Sequence, residues 1–248
     1  MQYKFATQQI NYSDFSSGRV FYSLPGHPAF PVRLASEVFQ RCLALRVANG
    51  VANPCVLYDP CCGAAYHLSV LAYLHGETIS EVIGSDVEEQ AVALAAQNLG
   101  LLKLDGLDKR IAQIHALFAQ YGKPSHKDAL TSARLLRGRL AAFDGLKARA
   151  FRASALDAGA LRERLGGTKV DIVFTDVPYG QHSQWQEAGA DPIHTMLEVL
   201  LGFLSPVSIV AIASDKQQKV SHERYQRLEH FQVGKRRVVI LKPKEEGR

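Results

Sequence analysis

Three short apolar runs end on an aspartate: PCVLYD at 54–59, EVIGSD at 81–86 and VDIVFTD at 170–176. A run this short and this apolar is the pattern of a strand buried on both faces. The first two are each followed by a helical pattern that stops at a glycine, at 65–76 and 88–100. Further strand signals lie at 149–154 and 208–214, with helical ones at 160–167 and 192–204, and 231–242 reads as two strands around Gly234–Lys235. Strands alternating with helices predict a mostly parallel sheet of βαβ units, with the final hairpin adding an antiparallel strand. In such sheets ligands sit beyond the carboxyl ends of the strands. The three aspartates therefore mark the edge where chemistry is expected.

The first run continues into DPCCGAAYHL at 59–68. A strand, a glycine turn and a helix start form a cradle for a small ligand, and Gly63 lets backbone approach it closely. Asp86 follows Gly63 by 23 residues. That is the spacing at which a carboxylate accepts hydrogen bonds from ribose hydroxyls. The site is thus expected to hold a nucleoside. A nicotinamide dinucleotide favours three glycines over its pyrophosphate, and this loop has one. S-adenosylmethionine carries no phosphate, and its cationic ammonium suits the acidic end of the first strand at Asp59.

The run VDIVFTD leads into VPYGQHSQW at 177–185. Proline stops the strand ladder by removing a donor. Asp176-Val177-Pro178-Tyr179 resembles the Asp/Asn/Ser-Pro-Pro-Tyr/Phe signature of methyltransferases that modify amino groups on nucleobases. The Asp176 carboxylate and the carbonyl of Val177 or Pro178 can accept N–H bonds from the target, and Tyr179 can stack on a base drawn out of its helix. Transfer then depends mainly on positioning. Trp185 is either a second stacking surface or a ring packed beneath the loop.

Charge is distributed unevenly. The formal net charge is +5, and residues 101–150 hold ten Lys/Arg against four Asp. The excess lies entirely in a segment that interrupts the strand–helix alternation. Its apolar residues, Ile111, Ile114, Phe118 and Tyr121, then Leu130, Ala133, Leu136, Leu140 and Phe143, follow helical spacing. Residues 101–148 are therefore predicted to form an inserted helical hairpin, with Ser125 and Asp128 as a capping box. Arg134 and Arg137 share one face, suited to a polyanion. Ahead of the sheet, residues 22–45 begin as a proline-rich loop and become helical from about Val32. Arg33 beside that loop is placed to meet a cofactor carboxylate or an acidic neighbour.

Other classes fall away. An apolar content of 47% supports a core and opposes disorder. No membrane span or secretory leader is evident, so the expected location is the cytoplasm. Four cysteines without metal-type spacing read as small buried hydrophobes, and no metal is expected. Isolated histidines such as His27, His67 and His75 carry no catalytic assignment.

The stretches YSLPGHPAFPVRLASEVFQR at 22–41, DPCCG, SDV at 85–87 and TDVPYG with Trp185 closely resemble the avilamycin-resistance ribosomal RNA methyltransferase family AviRa. The resemblance spans almost the whole chain. It implies a Rossmann-like S-adenosylmethionine-dependent fold, with a mostly parallel seven-stranded sheet and an inserted helical hairpin. The expected layout is a single methyltransferase domain over 1–248, with an N-terminal loop and helix at 1–50. It further implies methylation of a guanine in 23S rRNA and resistance to orthosomycins such as avilamycin. The DVPY motif directs attention to the exocyclic N2. Cofactor contacts fall on Asp59, Pro60, Cys61, Cys62, Gly63, Asp86, Val87, Ser154 and Asp157. Asp176, Pro178 and Tyr179 are the catalytic residues, and Tyr179, Gly180, Trp185, Arg134 and Arg137 the substrate contacts.

Two departures stand out. The family's loop continues as Ser-Gly where this chain has Ala64–Ala65, so a methyl group at Ala65 is placed to crowd the cofactor. The family's aspartate after the third strand is Ser154 here, and Asp157 either compensates or caps a helix. These departures keep two alternatives open: a non-catalytic RNA-binding or ribosome-associated protein, and a methyltransferase acting on DNA or another RNA.

Overall fold

A computed structural model describes residues 3–23, 29–140, 146–178, 185 and 191–245. Seven strands form one sheet: β1 (Cys55–Asp59), β2 (Ile79–Asp86), β3 (Lys147–Arg152), β4 (Val170–Asp176), β5 (Leu204–Asp215), β6 (Tyr225–Val233) and β7 (Arg236–Pro243). Their order across the sheet is β3-β2-β1-β4-β5-β7-β6. The first five run parallel, and β7 lies antiparallel between β5 and β6. Strand order reverses between β1 and β4, which opens a crevice above their carboxyl ends.

The apolar runs are buried on both faces because successive side chains alternate between two clusters. Leu57, Val82, Ile172, Phe174, Ala211 and Ile240 enter one. Tyr58, Ile83, Val173, Val210, Ile212 and Val239 enter the other. Helices α1 (Val32–Ala48), α2 (Tyr66–His75) and α3 (Glu89–Gly100) cover the first face. Helices α6 (Ala158–Leu165) and α7 (Pro192–Leu200) cover the second. The expected final helix is shorter than its pattern, since a 3-10 turn at Leu201–Phe203 leads directly into β5.

The basic segment forms two helices, α4 (Leu104–Tyr121) and α5 (Pro124–Leu140). Gly122 ends α4 in the left-handed conformation at φ 60°, where its N–H reaches Phe118 O at 2.8 Å. Helix α5 starts at Pro124, so Ser125 lies in the first turn and not ahead of it as the predicted cap. Leu107, Ala133 and Leu136 join the first cluster and fix the hairpin to the sheet domain. The expected capping role fails because proline, already set at a helical φ, begins the helix one residue earlier. Among the described residues no helix is long and apolar enough to cross a membrane.

Candidate active site

Asp59 closes β1 and is fully buried. Its Oδ1 accepts the Cys61 N–H at 2.9 Å. Its Oδ2 has no hydrogen-bond partner among the described residues, and His67 Nε2 stands 3.3 Å away. Burial pushes the Asp59 carboxyl up to about 7; the Thr175 hydroxyl, close by but outside hydrogen-bond geometry, and the Cys61 N–H pull it down, and the Asp86 charge adds to the rise. Burial also lowers His67, which favours a neutral ring that cannot balance Asp59. A buried carboxylate oxygen left unpaired calls for a partner from outside the chain, whether a ligand, an ion or a water.

The loop beyond Asp59 is held from below. Cys62 N donates to Ser85 O at 2.9 Å, and Gly63 N donates to Asp86 Oδ2 at 2.8 Å. A Cβ at Gly84 would lie 2.9 Å from Cys62 Sγ, so only glycine lets the loop pass this close over β2. Gly63 has φ 51°, and its outer side is open, with nothing within 4 Å of where a Cβ would project. The buried Asn98 amide on α3 donates to Ala64 O at 2.8 Å and to Tyr22 O at 3.0 Å. It thereby ties the N-terminal segment to the loop.

Ala65 is the only described non-glycine residue with positive φ, at 52°. An L-residue there costs about 1–2 kcal/mol. Its methyl group is buried in the first core cluster. The expected crowding of the cofactor is therefore replaced by backbone strain, directed away from the open side.

Asp86 divides its oxygens between Gly63 N and Glu88 N, the latter at 3.0 Å. Arg152 Nε holds Val87 O at 3.0 Å. Ala153 N donates to Asp86 O at 3.1 Å, which sets Ser154 beside the end of β2. Ser154 Oγ accepts Leu156 N at 3.2 Å. Asp157 caps α6 by accepting Gly159 N at 2.9 Å and Ala160 N at 3.0 Å. Of the two expectations for Asp157, capping is the one its geometry supports, because it starts the helix.

Asp176 closes β4. Its Oδ2 lies 3.5 Å from both Nε and Nη2 of Arg236, and its buried Oδ1 has no hydrogen-bond partner among the described residues. Burial pushes Asp176 up to about 6; the Arg236 guanidinium pulls it down, and Asp59 adds to the rise. Val177 N continues the ladder to Ala213 O at 3.0 Å. The Pro178 carbonyl, expected to face the target base, accepts Gln218 Nε2 at 2.9 Å. Tyr179 and Gly180 lie outside the described residues, as do His27 and Phe143. Trp185 is half-buried against the second core cluster, as in the packed alternative, and its Nε1 has no hydrogen-bond partner among the described residues.

Cys61 is half-buried beside these groups, while Cys42, Cys55 and Cys62 are fully inside. Arg33 donates to Ala6 O at 2.9 Å and Thr7 O at 3.0 Å and has no acidic neighbour in ion-pair range among the described residues. On the hairpin, Arg134 is exposed. Arg137 grips Asp108 through two bonds of 2.6 and 3.2 Å. Arg137 thus clasps α5 to α4, because a carboxylate one helix away matches its fork.

The sequence reading passed over three residues of this site: His67, Gln218 and Arg236. Arg236 had a signal, a basic residue opening an otherwise apolar strand. Gln218 had none, since a glutamine in a polar turn resembles any other.

A family model described as rRNA methyltransferase AviRa matches residues 1–236. The chain is 39% identical over 242 residues to the 23S rRNA (guanine(2535)-N(1))-methyltransferase of Streptomyces viridochromogenes, covering 97% of this chain and 95% of that protein. A solved structure of rRNA methyltransferase AviRa from the same organism superposes with a TM-score of 0.88 at 37% identity, covering 98% of this chain and 96% of that one. A second structure of that protein gives 0.87. With its seven-stranded sheet, glycine loop and paired strand-end aspartates, the chain belongs to the AviRa family of rRNA methyltransferases.

Proposed function

We propose that this enzyme methylates ring nitrogen N1 of a guanine in 23S rRNA, with S-adenosylmethionine as methyl donor. The observation that supports it best is the pair of strand-end aspartates, Asp59 and Asp176, each with a buried oxygen that has no hydrogen-bond partner among the described residues, at the ends of adjacent strands. The choice of N1 follows the activity named for the Streptomyces relative and replaces the N2 expected from the DVPY motif. It also suits the chemistry. N1 carries a proton, and an oxygen held ionised at Asp176 can accept it.

The residues around the first loop fit the donor. Asp59 Oδ2 lacks a partner and suits an ammonium group, Gly63 leaves open space, and Asp86 with Val87 and Ser154 lines the position for an adenosine. Pro60, Cys61 and Cys62 complete that loop. Bound there, the donor supplies an electrophilic methyl on a sulfonium, which leaves as a neutral thioether with the bonding electron pair. Asp176 accepts the N1 proton, freeing the lone pair that forms the new N–C bond. Tyr179 and Gly180 hold the base, and Arg134 with the other basic groups of α4 and α5 meets the phosphate backbone. The chain acts as one methyltransferase domain, and its product implies resistance to orthosomycins.

Methyl transfer from labelled S-adenosylmethionine to 23S rRNA from a sensitive bacterium tests this reading. Label recovered as 1-methylguanosine is the expected result. Label on N2, or none on rRNA or large subunits from folded protein, overturns it.

A further inference from the structure

We propose that Gln218 and Arg236 are positioning residues for the reaction: from the antiparallel half of the sheet, they fix Asp176 and Pro178 in the orientation that receives the guanine N1 proton. The inference rests on the reading above, which makes Asp176 the proton acceptor.

The two residues reach the turn from different elements. Arg236 opens β7 and pairs across the ladder with Asp215, the last residue of β5. Asp176 pairs with Ala213 on the other side of β5. The Arg236 side chain spans β5 to bring Nε and Nη2 to 3.5 Å from Asp176 Oδ2. Its guanidinium also lies 5.0 Å from the centre of the Phe30 ring, within cation–π range. With Oδ2 held toward Arg236, Oδ1 is the oxygen left for substrate.

Gln218 acts on the backbone. Its Oε1 accepts the Asp215 N–H at 3.1 Å, and its Nε2 donates to Pro178 O at 2.9 Å. The side chain therefore bridges the end of β5 to the turn after β4, and Arg237 Nη2 donates to the Gln218 carbonyl from β7. A proline-containing turn has lost a backbone donor. The amide supplies an external tie at that point.

Among the described residues, the ionisable groups facing Asp176 are Arg236 from β7, His67 from α2 and Asp59 from β1, with the Cys61 thiol in the same pocket. Arg236 is the cation among them that stays charged throughout the working range. It opposes the rise that burial imposes, so that Asp176 is ionised near neutral pH.

The test is the pH dependence of single-turnover methyl transfer to 23S rRNA, with Asp176→Asn as control. The unaltered protein should lose activity on the acid side near pH 6, in line with Asp176. Arg236→Gln should move that limb upward by about one pH unit. Arg236→Lys, which keeps the charge, should restore most of the difference. Gln218→Ala should slow the step about tenfold without moving the limb or the Kd for S-adenosylmethionine. Folding is checked by thermal melting, and if Arg236→Gln does not fold, Arg236→Met takes its place. An acid limb that stays in place in the variant that removes the Arg236 charge, together with an unchanged rate in Gln218→Ala, overturns the positioning role. A different result tells against the underlying reading: no transfer by the unaltered protein, or full transfer by Asp176→Asn.

Discussion

Asp59 and Asp176 end adjacent strands, and burial pushes both upward, to about 7 and about 6. They differ in what answers them. Asp176 has a cation built into the chain, Arg236 at 3.5 Å. Asp59 has a neutral imidazole at 3.3 Å and an oxygen with no hydrogen-bond partner among the described residues. The contrast matches two kinds of work. A group that must bind a cationic ligand gains from being left uncompensated until the ligand arrives. A group that must accept a proton in every turnover needs its charge maintained beforehand.

The sharpest way to break this contrast is Asp176→Asn. Loss of a general base lowers rates by about 10²–10⁴-fold. The single-turnover rate should fall in that range while calorimetry shows S-adenosylmethionine bound as before. A parallel loss of donor binding would mean that the two aspartates do not divide the labour.

Asp59→Asn should act in the opposite sense. The folded pKa of about 7 lies above the ordinary 3.8, so the folded state holds its proton more tightly than the unfolded chain. Stability is then highest below about pH 4, falls as pH rises between 4 and 7, and stays reduced above 7. Asparagine never ionises. The ligand-free variant should therefore gain on the order of 3 kcal/mol at pH 8, and the gain should vanish by pH 4. S-adenosylmethionine should bind it at least about tenfold more weakly, through the lost charge-assisted bond. Melting curves at the two pH values and a titration of the ligand check both parts.

The hairpin offers a third region for comparison, one with no buried charge. Changing Lys109, Lys123, Lys127 and Arg134 to Gln should leave the pH profile intact. The dependence of RNA binding on salt should become shallower by up to about 0.7–0.9 for each phosphate that is no longer neutralised. An unchanged slope would move the RNA surface elsewhere.

Ala65→Gly should have the smallest effect. Glycine relieves the left-handed backbone but gives up a buried methyl group worth about 0.8 kcal/mol and adds freedom to the unfolded chain. The net change in stability should stay within about 1 kcal/mol. The Kd for S-adenosylmethionine should stay put, because the methyl faces the core.

Much of this architecture can be read in the sequence. The apolar runs located β1, β2 and β4 and their terminal aspartates, because a doubly buried strand shows its whole length as hydrophobicity. The helical hairpin followed from periodicity. What escaped was decided by the tertiary fold. Arg137 read as free because the sequence does not show that Asp108, 29 residues earlier, lies opposite on the neighbouring helix. His67 read as an ordinary histidine because its distance from Asp59 depends on how α2 docks against the sheet. Arg236 and Asp176 stand 60 residues apart and meet only through two strand pairings on β5.

That last separation has a consequence for how the protein is made. A polypeptide emerges from its amino end, and early portions fold first. The parallel strands β1 to β5 can assemble while Arg236 is still to come. Until it arrives, the aspartate at the end of β4 lacks its countercharge. Because β7 runs against its neighbours, its first residue reaches the crevice as soon as the strand begins to pair. Vectorial synthesis thus leaves the pairing of this aspartate with its arginine to the last, reversed part of the sheet.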